Sequence, residues 1–441
     1  MNNELRSEMQ QKAIETLFRD RNLIVEWGTG VGKSRVAVGA VTRTLQGKGH
    51  NILLLVSETA HKGNWRREFT ETLGEETGED VFSCLTVECY ESLRKCTDTV
   101  WDLVIADEAH HLRSELRTDL VSCLQTTYFL CLTATMSDND DALDLIRMLE
   151  VSFGRFSRMK FSMDEAIQSK ILAEPEIYVH VLDLKAVKKH VCIEVTWGWP
   201  NARKEYPTDA EGFRQMWEHP EKYPNVKALV DCTPAEGYAI LNDVFESCKT
   251  TFERLDAATR NVNLDAEQRA RAVRDAEYAK NRMLQYSIKR KKLLGECKTA
   301  YAEHIIRDVV KQRKFICFCS SIEQGTQLNA ETIIHSRRSP RENEEIIASF
   351  NEDRTRSIFA VNMLQEGANL ARIEAGVIIQ LDKKQRPFIQ KFGRTMRSAA
   401  PEQHIIVFNH SKYISYLKNI LEGISGNYIK YIDGQTGRRI S

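Results

Sequence analysis

The chain has 441 residues, of which 42% are hydrophobic, and this suits two or three domains with cores of ordinary size. The formal net charge is zero, so no global basic field indicates a nucleic-acid partner, although a local basic stripe would be enough to bind one. The eleven cysteines are scattered without a C-x-x-C pair, which indicates reduced thiols rather than a disulfide framework or a zinc ribbon.

The N-terminus and the hydropathy pattern predict the compartment. The chain opens on mostly polar residues, without the apolar stretch of a signal peptide. No run approaches the roughly 18 consecutive apolar residues that a membrane-spanning helix needs. We therefore expect an intracellular, cytoplasmic protein in a reducing compartment, without a signal peptide, a transmembrane segment or a membrane partner.

The first half of the chain alternates short apolar runs with amphipathic segments. The apolar runs are residues 23–25, 52–56, 103–106 and 129–132. Short, wholly apolar strands that are separated by helices indicate a parallel sheet that is covered on both faces. We therefore predict an α/β domain with a parallel sheet in the first part of the chain.

The first predicted strand runs into a glycine-rich loop, and an amphipathic helix is predicted to follow it. Such a loop aims backbone N–H groups at phosphates, and the helix presents its N-terminus to negative charge. Lys33 is expected to reach the β- and γ-phosphates of a nucleoside triphosphate, and the Ser34 hydroxyl is expected to bind Mg²⁺. The usual pattern has glycine where this chain has Trp27. The expected nucleotide contacts of the loop are Gly28, Thr29, Gly30, Gly32, Lys33 and Ser34.

Two acidic residues, Asp107 and Glu108, follow the predicted strand 103–106 at once. Ligands bind at the carboxyl ends of strands in sheets of this kind. Asp107 is therefore expected to hold Mg²⁺, and Glu108 is expected to polarise the attacking water. Two histidines come next, and we favour a hydrogen-bonding role for His110 over metal binding, because no further ligand has suitable spacing.

The middle of the chain has a different composition. Residues 197–234 hold five prolines and several aromatic residues, which predicts irregular, loop-rich structure. Residues 236–298 have almost no proline or glycine, which predicts two long helices with a break near 261–263. The second helix carries a basic run, which is either a solvated helix face or a set of phosphate contacts. The run consists of Lys289, Arg290, Lys291 and Lys292.

Buried-strand patterns return late in the chain. They lie at 315–318, 358–361, 377–379 and 405–408, and they imply a second α/β domain that begins at about residue 299. The predicted organisation is a first domain at residues 1–185, an irregular and helical insert at residues 186–298, and a second domain at residues 299–441.

A late motif at residues 390–397 complements the early loop. It reads Gln-Lys-Phe-Gly-Arg-Thr-Met-Arg, and its arginines can reach the γ-phosphate of a nucleotide from a separate domain. A nucleotide that lies between two domains can turn its hydrolysis into domain motion. The expected catalytic residues are Lys33, Asp107, Glu108, Gln390, Arg394 and Arg397.

These motifs together resemble superfamily 2 helicases of the DEAD/DEAH type, and the resemblance covers nearly the whole chain. Gln10 resembles the glutamine that reads adenine in this group, and segments 51–69 and 87–93 resemble the two first motifs that contact the nucleic-acid strand. Thr133 and Thr135 match the threonines that link the nucleotide site to the nucleic-acid site. The resemblance thus implies ATP and Mg²⁺ as cofactors, two tandem RecA-like P-loop domains, and coupling through His110, Thr133 and Thr135.

The second domain also resembles this family. Residues 314–321 resemble the motif that opens the domain, and residues 365–370 resemble the next one, which places Gly367 among the nucleotide contacts. Asn369 stands where the family often has aspartate, and Lys391 stands where it has the first arginine of the last motif.

One branch of the family resembles the chain more closely than the others. Residues 163–175 and the helical pair of the insert look like the DNA-translocating branch, which includes phage branch-migration helicases and restriction-enzyme motor subunits. The resemblance implies an ATP-dependent helicase or translocase that acts on duplex, forked or branched DNA, with DNA preferred over RNA as its partner. An RNA helicase, an ATP-gated clamp without unwinding, and a ring-forming P-loop ATPase are the alternatives. A near-minimal motor often relies on a protein partner or on DNA shape for targeting, but no residue identifies such a partner here.

Overall fold

The computed structural model describes most of the chain. The residues that it describes are 2–47, 50–57, 60–113, 115–134, 140–197, 205–260, 265–361, 370, 373–379, 401–410, 414–415, 417–418, 421 and 424–440. Among the helices in these ranges, none is both long and apolar enough to cross a lipid bilayer.

The first sheet has six parallel strands in the order β3-β2-β4-β5-β1-β6, once they are numbered along the chain. They are β1 (Asn22–Trp27), β2 (Ile52–Val56), β3 (Leu85–Cys89), β4 (Val100–Ala106), β5 (Gln125–Thr133) and β6 (Ser157–Phe161). All five residues of β2 are buried. A strand that is apolar on both faces requires a cover on both faces, and the helices provide it.

The helices of this half lie between the strands. They are α1 (Asn3–Asp20), α2 (Lys33–Gln46), α3 (Ala60–Leu73), α4 (Glu75–Ser83), α5 (Glu115–Ser122), α6 (Asp140–Phe153) and α7 (Met163–Gln168). Local capping sets several of their ends. The Asn2 side chain accepts a hydrogen bond from the Leu5 amide at 3.1 Å, and Ser162 forms a capping box with Glu165 at the start of α7.

The next strand, β7 (Glu176–Leu182), lies in the range that the sequence assigns to the first domain, but it pairs in the second sheet. It is parallel to the strand Glu402–Phe408, and His180 Nε2 lies 2.9 Å from His404 Nδ1 between the two strands. Ile177 and Val179 are fully buried there. The first sheet therefore ends before residue 176. The sequence of β7 did not reveal this, because tertiary packing selects the strands with which a given strand pairs.

Residues 197–234, for which the composition predicts irregular structure, contain two strands of a three-stranded sheet, and the third strand directly precedes them. Its strands are β8 (Val191–Trp197), β9 (Glu205–Asp209) and β10 (Val226–Cys232), in the order β8-β10-β9. Alternate residues of β10 are buried, which is the period-two pattern of a half-covered strand. Helix α8 (Ala210–Glu218) covers this sheet, and Trp197 meets Phe213 and Trp217 edge-on at 5.8 and 5.4 Å.

Two long helices follow, as the composition predicts. They are α9 (Pro234–Thr259) and α10 (Ala266–Cys297), and they pack against each other along their length. Thr233 forms a capping box with Glu236 at the start of α9, and Asp265 forms one with Gln268 at the start of α10. These capping signals and the lack of internal proline explain why both helices are long.

The second sheet has eight described strands in the order β12-β13-β11-β14-β15-β7-β16-β17. The strands after α10 are β11 (Phe315–Phe318), β12 (Ile333–Ile334), β13 (Ser357–Ala360), β14 (Ala375–Ile378), β15 (Glu402–Phe408), β16 (Ile429–Asp433) and β17 (Arg439–Ile440). The helices are α11 (Thr299–His304), α12 (Ile322–Leu328) and α13 (Pro340–Asn351), and a π-helical turn at Ile305–Val310 continues α11. Only β16 and β17 are antiparallel among these pairs. The expected fold, two RecA-like α/β domains with parallel sheets and an insert between them, is confirmed.

Candidate nucleotide-binding site

The ends of three neighbouring strands define the site. The order β4-β5-β1 is parallel throughout, with Glu26 paired with Thr133 and Ala106 paired with Cys131. The loops that leave these strands therefore begin at the same edge of the sheet. This is the carboxyl edge, where ligands of such sheets bind.

The glycine loop forms a cradle of backbone atoms after β1. Gly30 and Gly32 have φ angles of +89° and +105°, which L side chains rarely adopt. A Cβ atom on Gly32 would lie 2.3 Å from Gln10 Nε2. Helix α2 begins at Lys33 without a side-chain cap, so its first turn suits an anion.

Lys33 and the loop together fit a polyphosphate. The Lys33 ammonium donates a hydrogen bond to the Trp27 carbonyl oxygen at 2.9 Å, which keeps the side chain along the loop. The φ values of the glycines, the uncapped helix start and this cation are three separate features that favour a phosphate group at this place.

Helix α1 packs one polar side chain against the loop and another against the segment after α7. Gln10 Nε2 donates a hydrogen bond to the Gly32 carbonyl oxygen at 3.3 Å, so the expected adenine-reading residue lies beside the cradle. Arg6 donates to the Ile171 carbonyl oxygen at 2.7 Å. Partial burial and the nearby charge of Arg35 lower the pKa of Arg6. No sequence motif marks Arg6, which lies one helical turn before Gln10.

Asp107 and Glu108 lie at the end of β4. The Asp107 amide donates to the Leu55 carbonyl oxygen at 3.0 Å, and its carboxylate accepts a hydrogen bond from Trp65 Nε1 at 2.9 Å. Glu108 has a φ angle of +48°, an uncommon value for a residue with a side chain, and such strain concentrates at functional sites. Carboxylates at this edge are the ligand type that Mg²⁺ prefers, so the residues fit the ion.

His110 connects the acidic motif to the neighbouring strand. Its Nδ1 atom lies 3.3 Å from the Thr133 hydroxyl and 3.4 Å from Glu108 Oε2. The Thr133 side chain is fully buried and His110 is 3% exposed, so the contact lies in the protein interior. The hydrogen-bonding role that the sequence favours for His110 agrees with this geometry, and Thr135 lies outside the described residues.

Two family descriptions match two separate segments of the chain, one near each end. Residues 4–138 match the family described as Type III restriction enzyme, res subunit, and residues 297–399 match the Helicase conserved C-terminal domain. Both matches agree with the resemblance of the chain to superfamily 2 helicases.

Individual relatives agree with this assignment at low identity. The DNA 3'-5' translocase XPB2 of Sulfurisphaera tokodaii is 22% identical over 408 residues, which are 90% of this chain and 80% of that protein. Saccharomyces cerevisiae Dbp5 bound to RNA and ADP BeF3 has a TM-score of 0.53 and 11% identity, over 96% of this chain and 89% of that one. The Type ISP restriction-modification enzyme LlaBIII bound to DNA has a TM-score of 0.52 and 10% identity, over 98% of this chain and 31% of that one. The two structures show that the helicase fold is shared.

Several expected contacts of the nucleotide site lie outside the described residues. The structure therefore leaves them as predictions from sequence, and they are Thr135, Gly367, Gln390, Arg394 and Arg397.

The structure corrects one part of the predicted phosphate-contact run, because Arg290 does not lie on the surface. It is 8% exposed, and it donates a hydrogen bond to Asn242 Oδ1 at 2.6 Å. Its guanidinium group lies 3.5 Å from the centre of the Phe245 ring. Arg290 therefore joins α10 to α9 inside the helical pair, because four consecutive helical residues span a full turn and one of them must face the neighbour.

The other three cations of the run lie nearer the surface of the protein. Lys289 donates to the Glu194 carbonyl oxygen at 2.9 Å, and Lys292 lies 3.6 Å from a carboxylate oxygen of Glu323. Lys291 and Lys292 are exposed. These surroundings leave Lys291 as the strongest remaining candidate of the four for a phosphate contact.

Proposed function

We propose that the chain is an ATP-dependent helicase or translocase that acts on duplex, forked or branched DNA. In this proposal, hydrolysis of ATP between the two RecA-like domains drives strand separation or remodelling. The observation that carries it is the meeting of the Lys33 cradle and the Asp107–Glu108 pair at one edge of the first sheet.

Each side chain has a proposed task at this edge. Lys33 and the amides of the loop hold the triphosphate, and Asp107 and Ser34 hold Mg²⁺, which neutralises phosphate charge when it is bound. Glu108 orients the attacking water. Gln10 holds the adenine next to the loop, beside its present bond to Gly32.

The second domain completes the site in this proposal. Arg394 and Arg397 stabilise the charge that develops on the γ-phosphate when the domains close, Gln390 assists them, and Gly367 contacts the nucleotide. His110, Thr133 and Thr135 pass the state of the nucleotide to the polynucleotide. The contact of His110 with Thr133 supports this route, since it joins the ends of β4 and β5.

Relatives favour DNA over RNA as the polymer. The archaeal protein that aligns with most of this chain is named a DNA translocase, whereas the yeast structure holds RNA and shares only the fold. An RNA helicase and a clamp without unwinding are therefore the alternatives that the experiment must separate. A protein partner that targets the motor belongs to the same proposal and is not identified by any residue.

The test is the ATPase rate with no polymer, single-stranded DNA, duplex DNA, forked DNA and RNA, with strand displacement measured on the same forks. We expect the largest stimulation with duplex or forked DNA. An ATPase rate that rises with RNA but with none of the DNA substrates identifies an RNA helicase. Tight ATP-dependent binding to a polymer without ATP turnover identifies a clamp.

A pair of variants controls this test. Glu108→Gln should retain ATP binding and lose turnover, because it keeps the shape of the side chain and removes the carboxylate. Glu15→Gln, on the exposed side of α1, should behave as the unmodified protein. Normal turnover in the Glu108→Gln protein would refute the proposed role of the site.

A further inference from the structure

Two aromatic side chains hold Asp107 from outside its own strand. Trp65 Nε1 donates a hydrogen bond to Asp107 Oδ2 at 2.9 Å, and the Tyr90 hydroxyl donates one to the Asp107 carbonyl oxygen at 2.6 Å. One of these bonds orients the carboxylate, and the other fixes the backbone that carries it. Together they restrain both ends of the residue.

Both donors are buried and belong to different segments. Trp65 lies in α3 and is 5% exposed, whereas Tyr90 follows β3 directly and is 1% exposed. Trp65 packs in the core on one face of the first sheet and Tyr90 packs in the core on the other face, so the two bonds reach Asp107 from opposite faces.

The aromatic donors are packed rather than loose. The Trp65 ring lies 6.2 Å from Phe69, and Phe69 lies 5.7 Å from Phe82, which joins α3 to α4. The Tyr90 ring lies 6.0 Å from His111 in the turn after the acidic motif. A shift of α3 or of the turn at Tyr90 therefore changes the hydrogen bonds of Asp107, because packed side chains transmit displacement.

We propose that Trp65 and Tyr90 are positioning residues that hold Asp107 for Mg²⁺ and link its state to α3 and to the turn after β3. The inference rests on the proposed function, in which Asp107 binds the ion. One N–H group occupies a single acceptor position of a carboxylate that has about four, so the bond orients the group without blocking it. Outer partners of this kind set the geometry of the ligands that they touch.

The coupling follows from the segments involved. Residues 51–69 and 87–93 are the two stretches that resemble strand-contacting motifs, and they contain Trp65 and Tyr90. A polymer that displaces either segment alters the orientation of Asp107, and magnesium–nucleotide binding at Asp107 alters the segments in return. Such coupling between two sites is reciprocal.

The experiment uses Trp65→Phe, Tyr90→Phe and the double variant. Trp101→Phe is the matched control, because Trp101 is also 5% exposed and also donates its indole N–H, in its case to the backbone carbonyl oxygen of Cys96 at 2.9 Å and not to Asp107. Each Phe variant keeps an aromatic ring and removes one donor. The readout is binding of a fluorescent, non-hydrolysable ATP analogue, followed by anisotropy as MgCl₂ is titrated, with and without duplex DNA.

We expect the Mg²⁺ concentration at half-saturation to rise by about 10-fold or more in Trp65→Phe and in the double variant, and to stay unchanged in Trp101→Phe. The factor by which DNA changes the affinity for the analogue should fall toward one in Trp65→Phe and in Tyr90→Phe. Equal magnesium titrations and equal DNA factors in all variants would overturn the inference while leaving the proposed function in place. Absence of magnesium-dependent analogue binding by the unmodified protein would instead remove the proposed function itself.

Discussion

His110 Nδ1 lies 3.3 Å from the hydroxyl of Thr133, and this contact joins the turn after β4 to the end of β5 inside the first domain. The two side chains are among the few buried polar groups of that domain, at 3% and 0% exposure. A buried polar contact is costly unless both groups are satisfied, so the pair has a defined geometry. It is the structural basis for the first prediction.

Thr133→Val should reduce the stimulation of ATP turnover by DNA about 5-fold or more, with little change in nucleotide affinity. The substitution keeps the shape of the side chain and removes the hydroxyl that meets His110. Thr126→Val is the matched control, because Thr126 lies on the same strand and donates to the Tyr128 carbonyl oxygen at 2.8 Å, at the opposite end of β5. Equal DNA stimulation in the two variants would show that the contact is structural only.

Gly32→Ala should weaken nucleotide binding and lower the free energy of unfolding by roughly 1–3 kcal/mol. The reason is its φ angle of +105° together with the approach of Gln10 Nε2 to within 2.3 Å of an added Cβ atom. Gly63→Ala is the control, because no atom lies within 4 Å of a Cβ built on this glycine of α3, and it should stabilise the protein by about 1 kcal/mol. Urea unfolding measures the change in stability, and nucleotide titration measures the change in affinity. If Gly32→Ala changes neither quantity, the loop does not form the tight cradle described above.

Lys291→Gln should reduce the slope of the logarithm of the DNA-binding constant against the logarithm of salt concentration by about 1. The exposed cation would no longer release counterions from a phosphate. Arg290→Gln should leave this slope unchanged and instead lower the free energy of unfolding by roughly 1–3 kcal/mol, because it removes a buried partner of Asn242. Anisotropy titrations with DNA at several salt concentrations measure this slope. An unchanged slope for Lys291→Gln would show that the basic run is a solvated helix face without phosphate contacts.

Arg394→Ala should lower ATP turnover by about 10³-fold or more while retaining ATP affinity. The prediction comes from the sequence motif, since Arg394 and Arg397 lie outside the described residues. Arg341→Ala is a suitable control, because Arg341 pairs only with Glu345 on the exposed face of α13 among its described contacts. Normal hydrolysis by a protein that lacks both Arg394 and Arg397 would contradict catalysis between two domains.

Lys298 should make stability depend on pH. Its ammonium is buried and donates to the Ile379 carbonyl oxygen at 2.7 Å, and burial lowers its pKa from 10.5 to about 7. At a pH between these two pKa values, Lys298 is protonated in the unfolded chain and deprotonated in the folded chain. The contribution of Lys298 to the free energy of unfolding therefore rises with pH in this range. Below the folded-state pKa, Lys298 is protonated in both the folded and the unfolded chain, and its contribution to the free energy of unfolding no longer changes with pH.

Lys298→Met should therefore reduce the gain in the free energy of unfolding between pH 7 and pH 10, as measured by urea unfolding at each pH. Lys12→Met, at an exposed position on α1, should retain the gain of the unmodified protein. A pH dependence that is the same in both variants would show that the Lys298 amine is not perturbed.

The sequence by itself determined the features whose causes are local. Gly30 and Gly32 are needed at positive φ whatever surrounds them, and the acidic pair follows an apolar strand that can only be buried. The long helices α9 and α10 were predictable for the same reason, since capping residues and the absence of internal proline act within a few residues. These features were sufficient for the fold class and for the position of the candidate site.

Only the tertiary structure decided the features that depend on distant partners. The pairing of β7 with β15, and the sheet of β8, β9 and β10, follow from hydrogen bonds between segments far apart in the chain. Arg290 is buried because α9 covers that side of α10, although Lys291, the next residue in the sequence, is exposed. The bond from Trp65 to Asp107 spans 42 positions, and no periodicity or motif encodes which of the aromatic residues would reach that carboxylate. Long-range contacts form when whole elements pack together, so the residues that take part in them carry no local signal of their partner.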